Sequence, residues 1–206
     1  MIILESYFIK GLIIGLIFGV PAGAIGALTI QRTLSYGFLA GFLTGTGSSV
    51  ADVGYACVGV FGLTVISDFL LANQTIISLF GGAVVFLTGA MIFKQKKDLI
   101  HLDPSTGRLL SCFRSSFAIA IANPATILTF LLAFTSFGIV DDGNSNQKIL
   151  LVSGIFFGTC FWWTLLAGGV SAFRSRITEG IYMKLNRFLG GFMMLFGVGI
   201  FTRGCL

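Results

Sequence analysis

Charge is scarce in this chain of 206 residues: 10% of them are Asp, Glu, Lys or Arg, while 55% are apolar. A soluble domain carries about 25% charged residues, so a water-exposed globule is excluded. Histidine is reduced to His101, in a basic loop, which leaves no imidazole path for a soft cation. The cysteines Cys57, Cys112, Cys160 and Cys205 are scattered without Cys-x-x-Cys spacing, which argues against a thiol-disulfide carrier. Each reads as a small buried side chain, although Cys57 and Cys160 could meet within a helical bundle. Alternation of apolar and polar residues, which a membrane barrel requires, is missing. So are a phosphate-cradling loop, a nucleophile elbow and a metalloprotease motif, and no second group pairs with an acid to make a catalytic couple. No enzyme activity, cofactor or resident metal is expected.

What is present is a series of long uncharged runs, each near or above the roughly 20 residues that span a bilayer as a helix. They predict six transmembrane helices over about Gly11 to Ile30, Phe38 to Ile66, Thr75 to Phe93, Leu109 to Gly138, Ile149 to Ala172 and Phe188 to Thr202. The expected class is an all-α integral membrane protein of one domain, 1–206. A secretory leader, with Lys10, the run Gly11 to Val20 and Ala22-Gly23-Ala24 as cleavage site, is the rival for the first segment. Met1 to Tyr7 lack the basic cluster of such a leader.

Basic residues near short loops favour the cytoplasmic side. Lys94, Lys96, Lys97, Arg108 and Arg114 follow the third span, Arg174, Arg176, Lys184 and Arg187 the fifth, and Arg32 the first. Those loops are expected inside and both termini outside; Gln31 and Arg32 read as an interfacial stop. The basic residues lack the interleaved aromatics of a nucleic-acid platform.

Two of the three prolines, Pro21 and Pro124, fall inside apolar stretches at matching places in the two halves. Gly41 to Thr46 answers Gly154 to Thr159, and Gly82, Gly89, Ile92 and Phe93 recur as Gly190, Gly197, Ile200 and Phe201. Three spans per half make this an inverted repeat, the first about 8–94 and the second about 109–204, joined by a cytoplasmic loop of about 94–108. Proline has no N–H and clashes one turn back, so Pro21 and Pro124 free carbonyls within their spans. Ala22 and Gly23 allow close approach there, and the Asn123 amide can bind a freed carbonyl or a polar ligand.

Asp52 is the one acidic residue in the interior of a predicted helix. Its insertion costs about 2.5 to 3.5 kcal/mol, so such a residue faces a cavity or a partner and commonly has a function. Ser48 and Ser49, four and three residues earlier, share its face, and Thr46 adds a hydroxyl nearby. The plain alternative is a hydrogen bond that only ties helices together. Trp162, in the fifth span, is a further candidate for lining a substrate cavity, against the plain reading of packing or anchoring.

Pro21-Ala22-Gly23, Gly41 to Gly45 with Gly47 and Asp52, and Asn123-Pro124 together resemble the LysE/RhtB family of amino-acid exporters. The likeness extends over nearly the whole chain, including the basic central loop, Trp162-Trp163 and the glycine-rich last span. It implies a multi-pass protein of the bacterial inner membrane that exports a small amino acid or related metabolite by proton antiport. Two positions depart from the family pattern: Ala22-Gly23 follows Pro21 where Pro-Gly-Pro is common, and Ala125 stands where Asn-Pro-Lys places a lysine. The expected partners are a small amino acid, protons and lipid, with a homodimer through the Gly-x-x-x-Gly faces as an option. Asp52 would bind the ammonium group or carry the proton. Efflux of a divalent heavy metal of the cadmium type is the alternative, with only Cys57, Cys160 and Asp52 to serve it.

Overall fold

The computed structural model describes residues 2–19, 23–61, 72–94, 105–122 and 144–205. They form α1 (Ile2–Phe18), α2 (Ala24–Tyr36), α3 (Phe38–Val60), α4 (Gln74–Phe93), α5 (Thr106–Ile121), α6 (Ser145–Arg174) and α7 (Glu179–Cys205). No strand occurs among the described residues. Thr75–Phe93, Ser145–Arg174 and Glu179–Thr202 are each long and apolar enough to cross a membrane.

The distribution of side chains is the reverse of a soluble core. Phe80, Met91, Phe188 and Leu195 point outward, whereas Thr29, Thr33, Ser35, Thr44 and Ser49 are buried. Lipid makes the apolar exterior favourable and drives polar groups to find partners inside.

The first expected span is two helices, α1 and α2, and Pro21 lies in the interval between them. Gly23 caps α2 at φ 119°, a backbone setting that side chains disfavour, with the Phe196 ring against it. α4 starts one residue from the expected position. α6 and α7 are longer than their apolar windows, beginning at Ser145 and Glu179 instead of Ile149 and Phe188. At the start of α6, Asn144 Oδ1 accepts from the Asn146 N–H and Gln147 Oε1 accepts from the Asn144 N–H, each at 3.1 Å.

Contacts fix the relative directions. α1 and α2 run alongside α6 in the same sense: Gly11 packs on Leu151, Gly15 on Ile155, and Arg174 Nε donates to the Leu34 carbonyl at 2.9 Å. α3 crosses α6 in the opposite sense, with Gly41, Gly45 and Ser49 against Ala167, Trp163 and Thr159. The Gly-x-x-x-Gly face of α3 is therefore used inside the bundle. α4 and α7 are antiparallel and pack backbone to backbone. A Cβ on Gly82 would lie 2.8 Å from the Gly197 carbonyl oxygen, and one on Gly89 would lie 2.8 Å from that of Gly190.

Candidate functional site

α3 carries a line of polar side chains, Thr44, Ser48, Asp52 and Tyr55, at the four- and three-residue steps that keep one helix face. Thr44 and Ser48 are buried and Asp52 is partly buried. Ser49, on the flank of the line, is fully buried and accepts from Thr159 Oγ1 at 2.8 Å, which ties α3 to α6. Asp52 lies within electrostatic reach of Tyr55 and Cys160. Among the described residues its carboxylate has no hydrogen-bond partner, so the tie between helices is made by Ser49 instead.

The other expected residues are placed differently. Thr46 lies about 200° around the helix from Thr44 and spends its hydroxyl on the Phe42 carbonyl at 2.6 Å, away from the Asp52 line. Trp162 donates its indole N–H to the Leu16 carbonyl near the end of α1. Its neighbour Trp163 is the buried one, packed over Gly45 of α3, and its Nε1 has no partner among the described residues. Pro21, Ala22, Asn123 and Pro124 lie outside the described residues.

Both ends that border the prolines are held by an aromatic donor from another helix. Trp162 of α6 serves Leu16 of α1, and Tyr55 of α3 donates to the Ile121 carbonyl of α5 at 2.6 Å. The last carbonyls of a helix have no intrahelical donor, which is why these two need one. Nearby, Gly154 packs on Phe8 and Leu12, and Gly47 packs on Phe113 and Phe117. Gly154 to Trp162 is the same interval as Gly47 to Tyr55, and Phe8 to Leu16 the same as Phe113 to Ile121.

Arg32 does more than the sequence reading assigned it. It is a cross-brace: Nη1 donates to Thr44 Oγ1 at 3.2 Å and to the Cys112 carbonyl at 2.7 Å, and Nη2 donates to Ser115 Oγ at 2.7 Å. One guanidinium thus joins α2, α3 and α5. Its signal in the sequence was isolation, as the single basic residue between Lys10 and Lys94. The thiols of Cys57, Cys112 and Cys160 are free. No group of three or more His, Cys, Asp or Glu side chains gathers among the described residues.

The model of the LysE type translocator family matches residues 16–204. The chain belongs to this family. It is 30% identical over 198 residues to YcgF of Bacillus subtilis (strain 168), provisionally named an amino acid efflux protein, with 93% of each chain covered. It is 24% identical to the uncharacterized membrane protein YahN of Escherichia coli (strain K12), covering 88% of this chain and 83% of that one. It is also 23% identical to the chemotactic transduction protein ChpE of Pseudomonas aeruginosa, covering 97% and 98%. No solved structure matches. The LysE type match takes in the end of α1, the whole Asp52 line on α3 and both tryptophans of α6.

Proposed function

We propose that this LysE type translocator is a secondary exporter of a small amino acid or related metabolite across the bacterial cytoplasmic membrane, driven by proton antiport. It is a carrier and not an enzyme. The observation that carries the reading is Asp52, an acidic side chain within an apolar helix that no described residue neutralises or hydrogen-bonds. Such a group exchanges a proton or holds an ammonium ion. The name of the Bacillus subtilis relative supports the substrate class.

Six spans in two inverted halves, 8–94 and 109–204, make the alternating unit, with both termini outside. Supporting this are the reciprocal contacts of Gly82 with Gly197 and Gly89 with Gly190, which a local two-fold axis exchanges. The paired clasps of Tyr55 on Ile121 and Trp162 on Leu16 obey the same axis. On this reading Gly154 answers Gly47, where the glycine pattern matched it to Gly41, and Trp162 answers Tyr55. In this scheme the held ends of α1 and α5 lie at the membrane midplane, and one half rocks against the other around them.

The test is loss of preloaded amino acids from cells that express the chain. Faster loss of one side-chain class than in control cells supports the reading. No change for any amino acid, with a gain in cadmium tolerance, contradicts it.

A further inference from the structure

α2, α4 and α5 line an open pocket of about 380 Å³. Its wall carries Gln31, Arg32, Tyr36, Thr88, Arg108 and Ser111, and none of the described residues lining it is acidic. The size falls in the range of about 300–1,000 Å³ that holds small ligands.

The two guanidinium groups are held in place by neutral partners. Arg32 uses Nη1 and one Nη2 hydrogen on Thr44, Cys112 and Ser115, and its Nε–H and second Nη2 hydrogen have no acceptor among the described residues. Arg108 donates from Nη1 to Tyr36 Oη at 2.9 Å and stacks its guanidinium 4.8 Å from that ring's centroid. Hydroxyl and carbonyl partners position a cation without cancelling its charge. Two like charges on one cavity that no described acidic residue cancels raise its energy, and an anion there relieves it. Arg108, Ser111 and Cys112 also belong to the first two turns of α5, whose dipole presents its positive end on this side.

A purely structural role accounts for Arg32, but not for Arg108, whose one partner among the described residues is Tyr36 and which faces the same space. We propose that this pocket binds an oxyanion, a carboxylate or a phosphate, between Arg32 and Arg108. A solute carboxylate is the favoured source, because Thr44, the residue that Arg32 grips, begins the polar line that continues through Ser48 to Asp52. That source rests on the export reading; a lipid headgroup phosphate does not.

The test uses the purified chain in detergent and reads the thermal unfolding midpoint. Amino acids are titrated one at a time, each beside the amine that lacks its carboxylate, with inorganic phosphate in parallel. The chain is then measured in phosphatidylcholine nanodiscs with and without phosphatidylglycerol. The variants are Arg108→Ala and Arg108→Lys, chosen because Arg108 is exposed and its loss spares the brace at Arg32.

An amino acid that stabilises the parent while its amine does not, with affinity at least about tenfold weaker in Arg108→Ala and partly restored in Arg108→Lys, establishes the solute carboxylate. Stabilisation by phosphatidylglycerol or phosphate alone, lost in Arg108→Ala, establishes the site with a headgroup as occupant. No stabilisation by any oxyanion, or stabilisation unchanged in Arg108→Ala, overturns the proposal. Export from cells is a separate readout, and its failure leaves the phosphate arm standing.

Discussion

The hydroxyl of Tyr55 donates to the carbonyl of Ile121 at 2.6 Å, joining the polar line of α3 to the last turn of α5. Tyr55→Phe removes that one oxygen and keeps the ring. The expected cost is about 1 kcal/mol, with transport slowed by about fivefold if the bond is needed in every cycle. Trp162→Phe, which removes the donor to Leu16, is expected to act alike. Initial rates beside unfolding midpoints check this, and parent rates in both variants count against the clasps.

The contact of Gly89 with Gly190 leaves no room for a methyl group, since a Cβ on Gly89 would also stand 2.8 Å from the Met194 nitrogen. Gly89→Ala is expected to destabilise by about 1–3 kcal/mol through overpacking. Gly199→Ala is the control, because nothing lies within 4 Å of its added Cβ. There the gain in helix propensity should leave stability unchanged or raise it by up to about 1 kcal/mol. Denaturation in detergent separates the two, and equal behaviour would contradict the close packing of α4 on α7.

Arg32→Lys keeps the charge but loses the fork that reaches Thr44, Cys112 and Ser115 at once. A loss of about 1.5–3 kcal/mol is expected, seen as a lower unfolding midpoint. A variant as stable as the parent would mean that the brace is dispensable.

The helices of this chain are legible in the sequence to the extent that their runs are apolar and uncharged. α4 is nearly as read, because an uncharged run ends at Lys94. α7 began earlier than its hydropathy suggested because Glu179, Lys184 and Arg187 interrupt the run. The buried stripe Tyr182, Asn186, Leu189 and Met193 nevertheless keeps helical spacing through that region. The bracing by Arg32 is not legible for a different reason. Hydropathy counts a charge without its partners, and two of the residues that receive this guanidinium, Cys112 and Ser115, lie far along the chain. The glycine pattern alone does not choose a register for the second helix of the proposed repeat, since Gly41 and Gly47 are equally good matches for Gly154 by residue type. Asp52 stood out at once, whereas Tyr55 and Trp163 carry no signal that separates them from other aromatics in a span.

In the proposed cycle Asp52 exchanges the proton or holds the ammonium group of the substrate, and proteoliposomes test its part most directly. The parent, given an outwardly directed proton gradient, should accumulate its amino acid, and Asp52→Asn of equal yield and stability should not. Gradient-driven accumulation by Asp52→Asn at the parent rate would contradict the account.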